Sequence, residues 1–324
     1  MRLVTAAAAA FAALAAAGPA KASGAIDWIA GTLAETRASY GECTAEAAAI
    51  DGTLSRINGV ILPDTGKVIV VNIPSGIVTA YEDGVPVIES KAVVGKAATP
   101  TPELNTHVTY VRPNPTWTVP RSIIKRNKWL ERLVSEPEFF EDNNFSVVAN
   151  GVSMSPWEAA SDPGSVETFV QAPGPGNALG SIKIGIENSQ AIYLHDTNDP
   201  GKFDSEVRAA SAGCVRIERV TEMAAWIMGM SPEEMTSAVE EGSTAEMTPP
   251  EAVRVILGYW TAWPDSSGIT RFYPDIYGKD AGCGGGADYA DVEEPDERRP
   301  APRFIPGPVQ DGPPEAVWTE YEAR

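Results

Sequence analysis

Between Lys67 and Gly95 the chain reads KVIVVNIPSGIVTAYEDGVPVIESKAVVG. A β-branched run closes on Pro74-Ser75-Gly76, and a second run turns at Glu82-Asp83-Gly84 into a third. An Asp-Gly flanked by two such runs is a strong hairpin signal, because a two-residue turn demands positive φ that Asp and Gly tolerate. This commits the stretch from Lys67 to Gly95 to β structure. THVTYVRPNPTWTVP alternates again, and strand character resumes at SIKIGI and AIYLHD. Between them, RSIIKRNKWLERLVSEPEFFEDNNF reads as helix and SPWEAASDPGS as turn-rich, so a mostly helical insertion is expected to interrupt a β-rich domain.

The flanks differ. Residues 25–60 carry Ala, Leu and Ile at mixed three- and four-residue spacing, which predicts helix. Val220, Met223, Ala224, Ile227 and Met228 fall at i, i+3, i+4, i+7 and i+8, which predicts one buried helix face. A further helix is expected near SPEEMTSAVEEG and a strand near EAVRVILGYWTAW. From about Gly284 the chain turns Pro-, Gly- and acid-rich, the composition of a disordered tail. With 43% hydrophobic residues among 324, the chain suffices for one sizeable core.

The N-terminus has Arg2, an Ala-rich apolar run and Ala20-Lys21-Ala22, the pattern of a secretory leader cleaved after residue 22. The run is short and weakly hydrophobic for a membrane span, so no stable membrane insertion is expected after cleavage. Losing Arg2 and Lys21 with the leader takes the formal charge from −19 to −21. Such acidity argues against nucleic acid as a partner, since phosphate backbones need clustered Lys and Arg. Export changes how the three cysteines read. If Cys214 is free, Cys43 and Cys283 are left to pair; both unpaired is the alternative.

One of two histidines and one of three cysteines fall within YLHDTNDPGKFDSEVRAASAGCVRI, with His195 nineteen positions before Cys214. A thiol becomes a useful nucleophile when a base or a positive environment lowers its pKa. A neutral imidazole with a fixed tautomer is such a base. Gly213 allows a tight turn whose N–H groups can form an oxyanion hole, and Arg208 and Arg216 flank the thiol. The plain readings are a half-disulfide, a structural His and surface arginines. His107 and His195 have no Cys or carboxylate cluster at ligand spacing, so no metal or other cofactor is expected.

HDT…R…SAGCVRI resembles the signature of the L,D-transpeptidases, the YkuD-type catalytic domain. Longer stretches, including TPTPELNTHVTYVRPNPTWTVPRSI, PGPGNALGSIKIGI and YWTAWPDSSGITRFYPDIYGKD, resemble the YcbB-like Gram-negative branch, and together they cover roughly residues 60–280. The resemblance implies a mixed, mainly β, sandwich-like catalytic domain over 61–280 with a helical capping insertion at about 120–165. It would follow a leader over 1–22 and a helical segment over 23–60, and precede a disordered Pro/acidic tail over 284–324. The implied chemistry is attack of Cys214 on the third residue, diaminopimelate, of a peptidoglycan tetrapeptide stem. D-alanine leaves, and an amine of a second stem resolves the thioester into a 3→3 cross-link. His195 would be base and acid, oriented by the backbone carbonyl of Asp196. Gly213 and Cys214 N–H groups would hold the oxyanion. Ser211, Arg208 and Arg216 would support the site, with Trp117 and Tyr193 as cleft walls or, equally, core aromatics. Carbapenems acylate the cysteine of this family.

Many members carry His before the Gly-Cys pair, where this chain has Ala212. The stretch before residue 60 is shorter than the wall-binding domain common in that branch, so substrate capture is expected to rest on the cleft, the cap or another protein. Peptidoglycan stems are the expected partner and the periplasm the expected compartment. Three alternatives stay open: an L,D-carboxypeptidase or amidase using water, a ligase joining an outer-membrane protein's lysine to murein, and a non-catalytic wall-binding scaffold.

Overall fold

The computed structural model describes residues 22–280, apart from 59, 61, 64 and 266, with side chains from residue 26. The expected leader, apart from Ala22, and the expected tail therefore lie outside the described residues. In chain order the fold begins with α1 (Ala22–Arg37) and α2 (Ala45–Ile57), followed by strands β1 (Lys67–Asn72), β2 (Ile77–Glu82), β3 (Val85–Gly95) and β4 (Leu104–Pro113). Next come β5 (Trp117–Thr118), α3 (Arg121–Arg126), α4 (Trp129–Ser135), α5 (Pro137–Asp142), β6 (Phe145–Ala149), β7 (Val152–Met154), α6 (Pro156–Ala159) and β8 (Val166–Gln171). The last part holds β9 (Ile182–Ile186), β10 (Tyr193–His195), β11 (Ala209–Ser211), β12 (Val215–Ile217), α7 (Val220–Met228), α8 (Pro232–Glu240), β13 (Val253–Gly258), β14 (Ala262–Pro264) and β15 (Thr270–Phe272).

Nine strands form one sheet in the order β11-β3-β12-β10-β9-β4-β13-β1-β2, and β2 also pairs with β3. The pairing therefore closes on itself, with β11 beside β3. Two long strands make this possible. Val85–Lys91 of β3 pair with β2, while Ala92 and Val93 pair with β12. Leu104–His107 of β4 pair with β13, and Val108–Pro113 pass through a register shift to pair with β9. β3 and β4 are thus corners shared by two layers, the sandwich-like arrangement expected for a mainly β domain.

Strand periodicity puts alternate residues on opposite faces. Ile69 and Val71 of β1, Ile184 of β9, Leu194 of β10 and Val215 of β12 enter one aliphatic core, joined by Met223, Ala224 and Ile227 of α7. α7 ends at Gly229 in the left-handed region, and α8 opens with a Ser231–Glu234 capping box. β1 is buried at all six positions because its other face is covered too. Val68 and Val70 pack with Leu62, Ile256 and Trp260 beneath the N-terminal segment. Ile29 and Leu33 of α1 and Ile50 and Ile57 of α2 close that side.

The insertion departs from expectation. Between α3–α5 and α6 lies the β6–β7 hairpin, and with β5 and β8 it forms a four-stranded sheet, so the cap is mixed rather than mostly helical. Its turn is Asn150-Gly151, both at positive φ, a hairpin signal present in the sequence. The cap has its own core, in which Trp129, Leu133, Phe140, Val147 and Phe169 meet. Cys43 is disulfide-bonded and Cys214 is free, while Cys283 lies outside the described residues. Among the described residues no helix is long and apolar enough to cross a membrane.

Candidate active site

The residues that alternate with the aliphatic core include the polar and titratable ones. On β4, β9, β10 and β12 they fall into two rows across the sheet's outer face. In one row Arg112 pairs with Lys183, Lys183 with His195, and His195 with Arg216. In the next, Tyr110 pairs with Gly185 and Gly185 with Tyr193. Cys214 comes immediately before β12 and so extends this row beside Tyr193, because Leu194 pairs in parallel with Val215. Gly185 is required here, since a Cβ on it would lie 2.4 Å from the Tyr110 ring.

The Cys214 turn is held from below. Gly213 has φ of 121°, a region a Cβ makes strained. The Gly213 N–H donates to Ser211 Oγ at 3.1 Å, and the Ser211 hydroxyl donates to the Cys214 carbonyl. Gly213 N–H, expected as an oxyanion donor, is therefore engaged within the turn. The buried Thr101 hydroxyl donates to the Gly213 carbonyl at 2.8 Å and accepts from Gly95 N–H at 2.8 Å. Tyr277 donates to the Gly95 carbonyl at 2.6 Å and accepts from Thr101 N–H, which ties the β3–β4 loop to the turn. Thr101 and Tyr277 had no motif to announce them.

The half-buried Cys214 thiol lies 3.8 Å from the Ala191 carbonyl, its acceptor. Ala191 itself sits at φ of 57°, a conformation rare for a residue with a Cβ. The Asn188 side chain brackets its loop, accepting from Gln190 and Ile192 N–H and donating to the Ile186 and Ile192 carbonyls. Burial pushes the thiol pKa up, against hydrogen bonding from the Tyr193 backbone and hydroxyl and against the charges of Lys183 and Arg216. Tyr193 in turn is raised by burial and by Cys214, while a hydrogen bond from the Trp117 side chain lowers it. Tyr193, expected as a cleft wall, thus reaches the thiol, and Trp117, expected as the other, reaches Tyr193.

His195 is buried, with its ring edge-on to Tyr193 at 5.4 Å between centroids. Desolvation and the positive charges of Arg216 and Lys183 hold its pKa down to about 3, while the backbones of Asp196 and Leu179 oppose them. Its Nδ1 has no hydrogen-bond partner. The resting pair is therefore a neutral thiol and a neutral imidazole. The Asp196 carboxylate accepts from Ser181 N–H and Oγ at 2.8 and 2.7 Å, which pins the start of β9.

Arg208, expected beside the thiol, turns elsewhere: its guanidinium donates to the Ser75, Gly76 and Ser205 carbonyls, where it clamps the β1–β2 turn. Lys183, Arg112 and Tyr110 were not anticipated, because SIKIGI and THVTYVRP read as core strands when register is unknown. A polar residue between isoleucines was the available signal. A cleft of about 460 Å3 opens between this face and the cap, and Tyr110, Arg112, Trp117, Lys183, Ala191 and Tyr193 are among its walls. Among the described residues no cluster of three or more His, Cys, Asp or Glu could hold a metal.

Comparison with known proteins adds the following. The family model of the YkuD L,D-transpeptidase catalytic domain matches residues 66–257. A curated protein of Haemophilus influenzae (strain ATCC 51907 / DSM 11121 / KW20 / Rd), named "Putative L,D-transpeptidase", is 33% identical over 228 residues. The match covers 68% of this chain and 46% of the relative, so the chain spans about half the length of the curated protein it resembles. Among solved structures, an L,D-transpeptidase from Mycobacterium smegmatis overlays at a TM-score of 0.28 with 15% identity, covering 59% of this chain and 58% of its own. L,D-transpeptidase 3 from Mycobacterium tuberculosis overlays at 0.29 with 15% identity, covering 59% and 60%.

Proposed function

The chain belongs to the YkuD L,D-transpeptidase catalytic-domain family, and on that basis we propose that it is a peptidoglycan L,D-transpeptidase with Cys214 as nucleophile and His195 as general base and acid. The observation that supports this most is the placement of a free, half-buried thiol against Tyr193 and two residues out of register with His195, beside Ala191 and Tyr193 of a cleft walled by Arg112 and Lys183.

Cys214 Sγ attacks the carbonyl of the third residue, diaminopimelate, of a tetrapeptide stem, and its proton passes to His195. The Cys214 N–H and the Tyr193 hydroxyl receive the developing oxyanion. The C–N bond then breaks, His195 returns the proton to the departing D-alanine amine, and a thioester remains. An amine of a second stem attacks the thioester, losing a proton to His195. The C–S bond breaks, sulfur recovers the proton and a 3→3 cross-link results. A neutral imidazole in the resting state has a free lone pair with which to take the thiol proton. Lys183 and Arg216 favour the anionic sulfur over the neutral one. We expect the working enzyme in the periplasm of a Gram-negative cell, reached through the expected leader; N-terminal sequencing of the exported protein, finding residue 23 first, checks this.

Intact-protein mass spectrometry with a disaccharide-tetrapeptide tests the reading. D-alanine release, a thioester on Cys214 and a dimeric 3→3 product are expected. Tripeptide without dimer points to water as acceptor, and an acyl-enzyme that only a protein lysine resolves points to a ligase. The absence of any adduct, with carbapenem as well, overturns the catalytic reading.

A further inference from the structure

The basic row contradicts what stabilises a sheet. Like charges directly opposite one another on neighbouring strands are destabilising, yet Arg112 and Lys183 stand directly opposite each other, and the row continues through the neutral His195 to Arg216. The chain carries 44 acidic and 25 basic residues, but among the described residues the charged ones lining the cleft are Arg112 and Lys183. The two are not equivalent. The Arg112 guanidinium is paired with Glu246 at 2.5 Å. The Lys183 ammonium is held over ring faces instead, 4.2 Å from the Tyr193 centroid and 5.8 Å from that of Tyr110. Those rings position a charge while leaving its hydrogen-bond donors available. Tyr193 is also the residue whose hydroxyl reaches the thiol, so Lys183 stands about one aromatic ring away from the reacting sulfur.

We propose that Lys183 is the specificity residue of a carboxylate subsite in the cleft, which selects donor stems bearing a free carboxylate within one residue of the scissile carbonyl. A peptide residue spans roughly 3.3–3.6 Å, so a carboxylate that close to the attacked carbon falls within reach of the ammonium when the carbonyl sits over Cys214. The carboxylate of the departing terminal residue lies at that span, and the one on the side branch of the diamino acid, on a longer flexible chain, can fold back to a similar distance. The inference rests on the transpeptidase reading for its substrate, but the subsite is a binding property with its own readout.

The experiment compares three synthetic tetrapeptide donors: the free acid, the terminal amide and the branch amide. Turnover is read as kcat/KM for D-residue release by the full chain. Binding is read by calorimetry with the Cys214→Ala protein, in which no chemistry occurs. The wild type is expected to favour the free acid over one of the amides by about ten- to hundredfold, the range open to a charge-assisted hydrogen bond; which amide fails identifies the carboxylate. Lys183→Met and Lys183→Gln are expected to lose that preference, read as the ratio of free acid to amide in binding by the Cys214→Ala protein and in kcat/KM, and Lys183→Arg is expected to retain it. Equal binding of all three donors by Cys214→Ala, or an undiminished preference in both neutral variants, overturns the subsite. Acid-selective binding that depends on Lys183 without any turnover retains the subsite and sinks the transpeptidase reading alone.

Discussion

The sandwich and the cap are built from different materials. The sandwich core is aliphatic: Ile69, Val71, Ile184, Leu194, Val215 and their neighbours, presented by strands and by α7. The cap core is aromatic and small. Trp129 meets Phe140, Phe145 and Phe169 edge-on at 5.3, 5.3 and 5.2 Å, and Phe140 stacks on Phe169 at 4.7 Å. β-branched residues fit the pleat of a continuous sheet, whereas the cap has only short elements and relies on large rings with specific geometry. The two cores are separate clusters. The site lies at their seam, with a floor fixed by nine strands and a roof that carries its own stability. Trp117 bridges them: its ring packs on Trp129 and Phe145 at 6.1 Å, and its side chain hydrogen-bonds Tyr193.

If the chemistry belongs to the floor, Cys214→Ala abolishes acyl-enzyme formation in mass spectrometry and leaves thermal unfolding unchanged; surviving acylation would remove the nucleophile. His195→Asn is expected to slow turnover by about 10²–10⁴-fold. It also changes acid stability, with a definite sign. An unfolded imidazole takes a proton near 6.5, and the folded one only at about 3. Between those values the unfolded state binds more protons, so stability falls as pH drops from about 6.5 towards 3. The variant should show a flatter acid limb in urea titrations at stepped pH, and an unchanged slope would mean the ring is not held neutral. Phe140→Ala, at a fully buried position, is expected to cost about 3–5 kcal/mol. If the cores are separate, hydrogen exchange will show the loss in the cap segment while β1 and β13 stay protected; uniform loss would merge the two regions. Trp117→Phe, the mildest change, should keep cap stability but lower kcat by a few-fold, and a parallel fall in cap protection would show that it acts through packing.

The sequence exposed the parts that local chemistry dictates. The β2–β3 hairpin follows from Asp83-Gly84, α7 from its apolar spacing, and the pairing of His195 with Cys214 in one segment from their scarcity. Parts that depend on register were hidden. Lys183 and Tyr110 become neighbours of the site only once β4, β9 and β10 are aligned. Arg208 stands as near Cys214 in sequence as Ser211 does in function, but the chain carries it past the turn to Ser75 and Gly76. The cap hairpin was legible at Asn150-Gly151 and was overshadowed by the helical patterns on either side.

The pairing of β1 with β13 bears on time as well as on space. It joins Lys67–Asn72 to Val253–Gly258, and without β13 the sheet is open between β1 and β4. Non-local pairings of this kind form late, because the closure entropy precedes the contact that offsets it. A nascent chain that has not yet delivered residue 258 cannot close the sheet that carries His195 and Cys214. If Cys214 is the nucleophile, its sulfur is therefore expected to stay dormant in every shorter fragment and to awaken only when the last strand of the ring is in place.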